Sequence, residues 1–86
     1  MKITEIINFG SQTKLVNVYD DENEARDVLG KLYPELNIDA VIERIAEGEK
    51  FRFTDSSKQT VTLRGAVDGD EEDAAATHAD TSWLYL

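Results

Sequence analysis

With 86 residues and no cysteine, the chain can support one small core held by packing alone. A second core would not bury enough surface to offset its own ordering entropy, and neither a disulfide framework nor a thiolate metal site is available. Eighteen acidic side chains against nine basic ones give a net charge of -9. That field argues against direct nucleic-acid binding and against anionic lipid surfaces, keeps the chain soluble, and attracts basic surfaces of other proteins. No stretch approaches the ~20 apolar residues of a membrane span. The N-terminal MKITEIINF breaks its apolar run at Thr4, Glu5 and Asn8, so it does not read as a signal peptide, and the expected location is cytoplasmic.

Ile3, Ile7 and Phe9 alternate with Lys2, Thr4 and Asn8, the pattern of a half-buried strand. Gly10-Ser11 signals a turn, and the β-branched and aromatic run from Thr13 to Tyr19 completes an N-terminal hairpin. Asp21 followed by Glu24 forms a capping pair. Ala25, Val28, Leu29, Leu32 and Tyr33 then fall on one stripe of a helix that Pro34 stops. A second stripe of Ile38, Val41, Ile42, Ile45 and Ala46, with Asn37 or Asp39 as cap and Gly48 past its end, predicts a short helix. Its β-branched content makes a strand the rival reading. Phe51 and Phe53, a turn over 55–58, and Val61 and Leu63 predict a second hairpin. The expected class is α+β: a four-stranded sheet of two hairpins, with one main helix and a second short helix on a single face.

Composition changes after Gly65. Residues 67–86 hold six acids and no lysine or arginine, against twelve acids and nine bases in residues 1–66. The expected division is a small α+β domain over 1–66 and an acidic, flexible tail over 67–86. The tail ends Trp83-Leu84-Tyr85-Leu86, a candidate partner-binding anchor unless these residues pack back on the domain. Lys50, Arg52, Lys58 and Arg64 on the second hairpin could form a positive docking strip or simply the wet face of a half-buried sheet.

Catalytic chemistry is not apparent. His78, the only histidine, is expected to be solvated. The run from Asp68 to Asp73 places carboxylates at the first, third and fifth positions of a calcium loop. It has Asp73 where the sharp turn needs glycine and Ala79 where a bidentate glutamate is needed. No Gly-rich phosphate loop or nucleophile elbow is present. No catalytic residue, metal site or cofactor is assigned.

Tyr33-Pro34-Glu35-Leu36, the segment Gly48-Glu49-Lys50-Phe51-Arg52-Phe53 and a last strand closing on Leu63-Arg64-Gly65 resemble the prokaryotic ubiquitin-like proteins, in particular the small C component of plasmid-associated PRTRC systems. The resemblance covers about residues 3 to 65. It implies a β-grasp fold and a role as a small modifier or docking partner beside E1-like and protease-like enzymes, with Gly65 as the glycine presented for conjugation. Ala66 replaces a second glycine and a 21-residue extension follows Gly65, so conjugation would require proteolytic maturation.

The functional expectation is a non-catalytic protein-interaction module, in its narrower form a ubiquitin-like modifier or docking protein, binding another protein with a basic or mixed apolar surface. The partner-binding candidates are Lys50, Arg52, Arg64, Gly65 and residues 83–86. The alternative is an acidic nucleic-acid mimic or inhibitor that fills a basic cleft.

Overall fold

A computed structural model describes residues 1–10 and 14–79. Strand β1 (Ile3–Asn8) is followed by β2 (Lys14–Tyr19), helix α1 (Glu22–Leu32), helix α2 (Ile38–Ala46), strands β3 (Phe51–Thr54) and β4 (Thr60–Gly65), and helix α3 (Asp70–Ala79). The strands form one sheet in the order β2-β1-β4-β3. Every neighbouring pair is antiparallel, including the central pair, in which Ile3 stands opposite Gly65 and Ile7 opposite Val61. The α+β class, the two hairpins and both expected helices are present.

Alternation along the strands divides the side chains between two faces. One face carries Ile3, Ile7, Tyr19, Val61, Leu63, Phe51 and Phe53, and α1 and α2 close over it with Ala25, Leu29, Val41, Ile42 and Ile45 to form the core. Local chemistry sets the helix boundaries. Asp21 Oδ1 accepts the Glu24 amide at 2.8 Å, while Glu24 Oε2 reaches back to the Asp20 amide at 3.0 Å, satisfying two donors where α1 begins. Helix α1 ends as Tyr33 donates its amide to the Leu29 carbonyl and Pro34 withholds one. Asn37, rather than Asp39, caps α2. The amphipathic stripe decides for helix over strand there, because it seats Val41, Ile42 and Ile45 together against the sheet.

The expectation of a flexible acidic tail starting at residue 67 is corrected over the described residues. Residues 70–79 form a third helix, which packs along β2 on the edge of the sheet. Its first turn is entirely acidic, Asp70 to Asp73, which complements the positive end of the helix dipole. Three alanines follow, the best helix formers, and His78 lies in the last turn. Trp83, Leu84, Tyr85 and Leu86 lie outside the described residues.

Candidate interaction site

The attachment of α3 begins in the turn before it. Gly69 takes φ +93°, a left-handed conformation that side chains resist, and this lets the Asp70 amide bond the Val67 carbonyl at 3.2 Å. Asp70 then points down onto the sheet at the position where Thr4 and Arg64 stand opposite one another. Asp70 is 4% exposed. Arg64 donates to both of its oxygens, at 2.7 and 2.9 Å, and the Thr4 hydroxyl (2.7 Å) and the Val67 amide (2.8 Å) donate to Oδ2. The Arg64 guanidinium, helped by the Val67 amide and the Thr4 hydroxyl, outweighs burial and holds the Asp70 carboxyl well below the ordinary carboxylate range. Arg64 is shifted upward by the same pairing.

Further along α3 the contacts are lighter. Ala74 and Thr77, four and seven residues after Asp70, are half-buried, and the other side chains beyond Asp70 are exposed. Thr77 Oγ1 accepts the Val16 amide of β2 at 3.1 Å. His78 Nε2 lies 2.6 Å from Asn17 Oδ1, so the solvated histidine of the sequence reading gains a partner on β2. Lys2 pairs with Glu71, and that contact raises the lysine's pKa.

The fixed helix gathers charge. Asp68, Glu71, Glu72 and Asp73 are all exposed. Glu71 shares a shallow groove of about 430 Å³ with Asp20 and Glu24 from the β2–α1 corner, over a floor that includes Val18, Ala74 and Ala75. The result is an acidic ridge on folded surface, with Lys2 as its one paired cation among the described residues. No three histidine, aspartate or glutamate side chains converge as metal ligands among the described residues.

The other sequence candidates separate. Lys50, Arg64 and Gly65 border one depression of about 300 Å³ beside the end of α2, together with Met1 and Val67. Arg52 stands on β3 opposite Thr62, exposed and on the same face as Arg64. Arg64 is committed to Asp70, and Lys58 lies in the β3–β4 turn with φ +64°, so the positive strip reduces to Lys50 and Arg52. Gly65 is not at a free end: the Ala66 amide bonds the Lys2 carbonyl at 3.0 Å, continuing the β1–β4 pairing, and α3 follows within five residues.

A second buried carboxylate was missed in the sequence. Glu5 sits on the core face of β1, fully buried, and accepts from Tyr19 Oη (2.8 Å), Tyr33 Oη (2.5 Å) and Asn17 Nδ2 (3.0 Å). Burial first, and then Glu5, push both tyrosine hydroxyls well above their ordinary pKa. The strand alternation places Glu5 between Ile3 and Ile7, and that spacing was the available signal.

Compared with family models, with curated proteins and with solved structures, the chain finds no match in any of the three. No described helix is long and apolar enough to cross a membrane.

Proposed function

We propose that this chain is a non-catalytic protein-interaction module whose acidic ridge, formed by α3 and the β2–α1 corner, docks on a basic surface of another protein. The observation that carries this reading is the anchoring of α3 through Asp70, which fixes Glu71, Glu72 and Asp73 at set positions on the folded surface. Fixed charges steer association and select a partner, because they lose little conformational freedom on docking.

The same observation favours a second reading, an inhibitor that imitates a nucleic acid, since a rigid mimic needs its carboxylates held on a framework. The ubiquitin-like resemblance supports a docking role better than conjugation. Release at Gly65 would remove α3 and leave Arg64 and Thr4 without the buried carboxylate they share.

Affinity capture with the full chain and with an E72K/D73K variant, in low and in moderate salt, tests the docking reading. The expected partner binds the native chain, weakens steeply as salt rises, and is lost by the variant. A partner retained equally by the variant would remove the ridge from the account. Displacement of the partner by short duplex DNA would select the mimic.

A further inference from the structure

We infer that the outer edge of β2 is a strand-addition site, with α3 as its displaceable cover, for an extended segment of a partner protein that carries a basic residue at the end beside Asp20 and Glu24. Only the partner's charge rests on the docking reading above; the edge itself rests on backbone geometry.

In an antiparallel pair, residues alternate between facing their partner strand and facing away from it. Val16 faces away, since its amide meets Thr77 Oγ1 at 3.1 Å and its carbonyl lies 3.4 Å from the same oxygen. Lys14 and Val18, two residues to either side, present their amides and carbonyls in the same outward direction. Among the described residues, β2 is the outermost strand on this side of the sheet. Of three outward positions, α3 therefore engages one, through a single hydroxyl. Even that engagement is partial, because the Thr77 proton has a nearer acceptor in the Ala74 carbonyl at 3.1 Å.

The cover is fastened unequally. Its N-terminal end is pinned by the four hydrogen bonds of buried Asp70. Among the described residues, its C-terminal end is held by Thr77 and by His78 on Asn17, both at partly or fully exposed positions. A helix so attached opens from its C-terminal end about Asp70, which bares β2 without disturbing the core behind it. At the opposite edge β3 carries Arg52, with Lys50 just before it, charges that discourage strand pairing. The β2 edge has Lys14 at one end, while Asp20, Glu24 and Glu71 border the other, and that asymmetry orients an incoming segment with its basic residue toward Asp20.

The test uses the full chain, isotopically labelled, and a short synthetic peptide of alternating valine and threonine with two lysines at one end. Binding is expected to slow exchange of the Lys14, Val16 and Val18 amides by about tenfold or more while leaving core amides unchanged. Thr77→Val, which frees the cover, is expected to tighten peptide binding about threefold to tenfold. Val18→Pro removes an outward amide that the native pairing does not use, and is expected to abolish the protection. Failure of the peptide to protect these amides, or equal binding by the Val18→Pro protein, would overturn the proposal. A variant that fails to fold leaves the Thr77→Val arm decisive, and there unchanged affinity counts against the cover. The same peptide with proline in place of valine keeps the charge but cannot pair. If it binds equally well, the strand-addition site falls while docking by charge stands. Protection that appears without peptide and grows with protein concentration would assign the edge to a second copy of this chain, and would overturn the assignment to a partner.

Discussion

The two faces of the sheet each bury one carboxylate, and they hold it in opposite ways. Glu5, in the core between the sheet and helices α1 and α2, is surrounded by neutral donors: two tyrosine hydroxyls and an asparagine amide. Asp70, under α3, is held by the Arg64 guanidinium near the rim, where the arginine side chain keeps 17% of its surface in water. The first arrangement ties β1, β2 and the end of α1 together and specifies their register. The second attaches a helix that has almost no apolar face. A buried carboxylate without a cation nearby constrains the fold it sits in, whereas one with a guanidinium can fasten a segment whose own composition would leave it in solution.

Removing each anchor should break the comparison at its strongest point. Glu5→Ala strands two buried hydroxyls and an amide and leaves a cavity, an expected loss of about 3–5 kcal/mol in global stability. Urea denaturation checks it, and a loss under about 1 kcal/mol would show that the tyrosines find other partners at little cost. Asp70→Ala should cost less, about 2–3 kcal/mol, because Arg64 can turn to water. Its effect should also be local: amide exchange across α3 accelerates while the β1–β4 ladder keeps its protection. If the whole sheet loses protection equally, α3 is part of the core and the contrast between the faces fails.

The pH dependence should separate the two nodes by sign. The folded pKa of Asp70 is depressed, so its contribution is complete above the unfolded value of about 3.9 and is lost as pH falls below it. Tyr19 and Tyr33 are raised, so their contribution is complete below about pH 10 and is lost as pH rises further. Acid should therefore loosen α3 first, seen in the exchange of its amides. Alkali should attack the Glu5 node, seen in a Tyr85→Phe background, where Tyr19 and Tyr33 are the remaining tyrosines, as tyrosinate absorbance that appears together with global unfolding. Tyrosinate formed in that background below the unfolding transition would place these hydroxyls in contact with water.

Much of the fold was legible because periodicity and capping agree at each element. Asp21 with Glu24, the stripe from Ala25 to Tyr33 and the alternation around Phe51 and Val61 each name an element without tertiary help. The acidic density of residues 68–73 masks helix α3 in the sequence, yet Asp70 to Asp73 occupy the first turn, where acids favour a helix, and the alanines after them favour it further. The anchor itself was not legible, since Arg64 and Asp70 meet only after the turn at Gly69 reverses the chain. Glu5 was passed over because a lone acid among isoleucines has no visible donor in the sequence. Its partners lie 12, 14 and 28 residues away, on β2 and just past α1.

Within the Glu5 node the two tyrosines are expected to contribute equally. Both hydroxyls donate to the same carboxylate, and Tyr33 also meets Phe53 edge to face, with ring centroids 4.9 Å apart. Phenylalanine keeps that ring contact, so Tyr33→Phe removes one hydrogen bond and is expected to cost about 1–2 kcal/mol. Tyr19→Phe should match it within about 0.5 kcal/mol, and a clear inequality in thermal denaturation would locate the stronger tie on one side of Glu5.

The smallest effect is expected at Gly65, which lies between the two nodes at the end of β4. Its φ is not left-handed, and an added Cβ would come within 3.0 Å of only the flexible end of the exposed Met1 side chain. Gly65→Ala should therefore change stability by no more than about 0.5 kcal/mol, by thermal denaturation, and leave both carboxylate networks in place. Because the substitution is structurally quiet, its effect on partner capture is interpretable. Docking through the acidic ridge predicts unchanged binding, whereas conjugation through this glycine predicts that the covalent product disappears while the fold is intact.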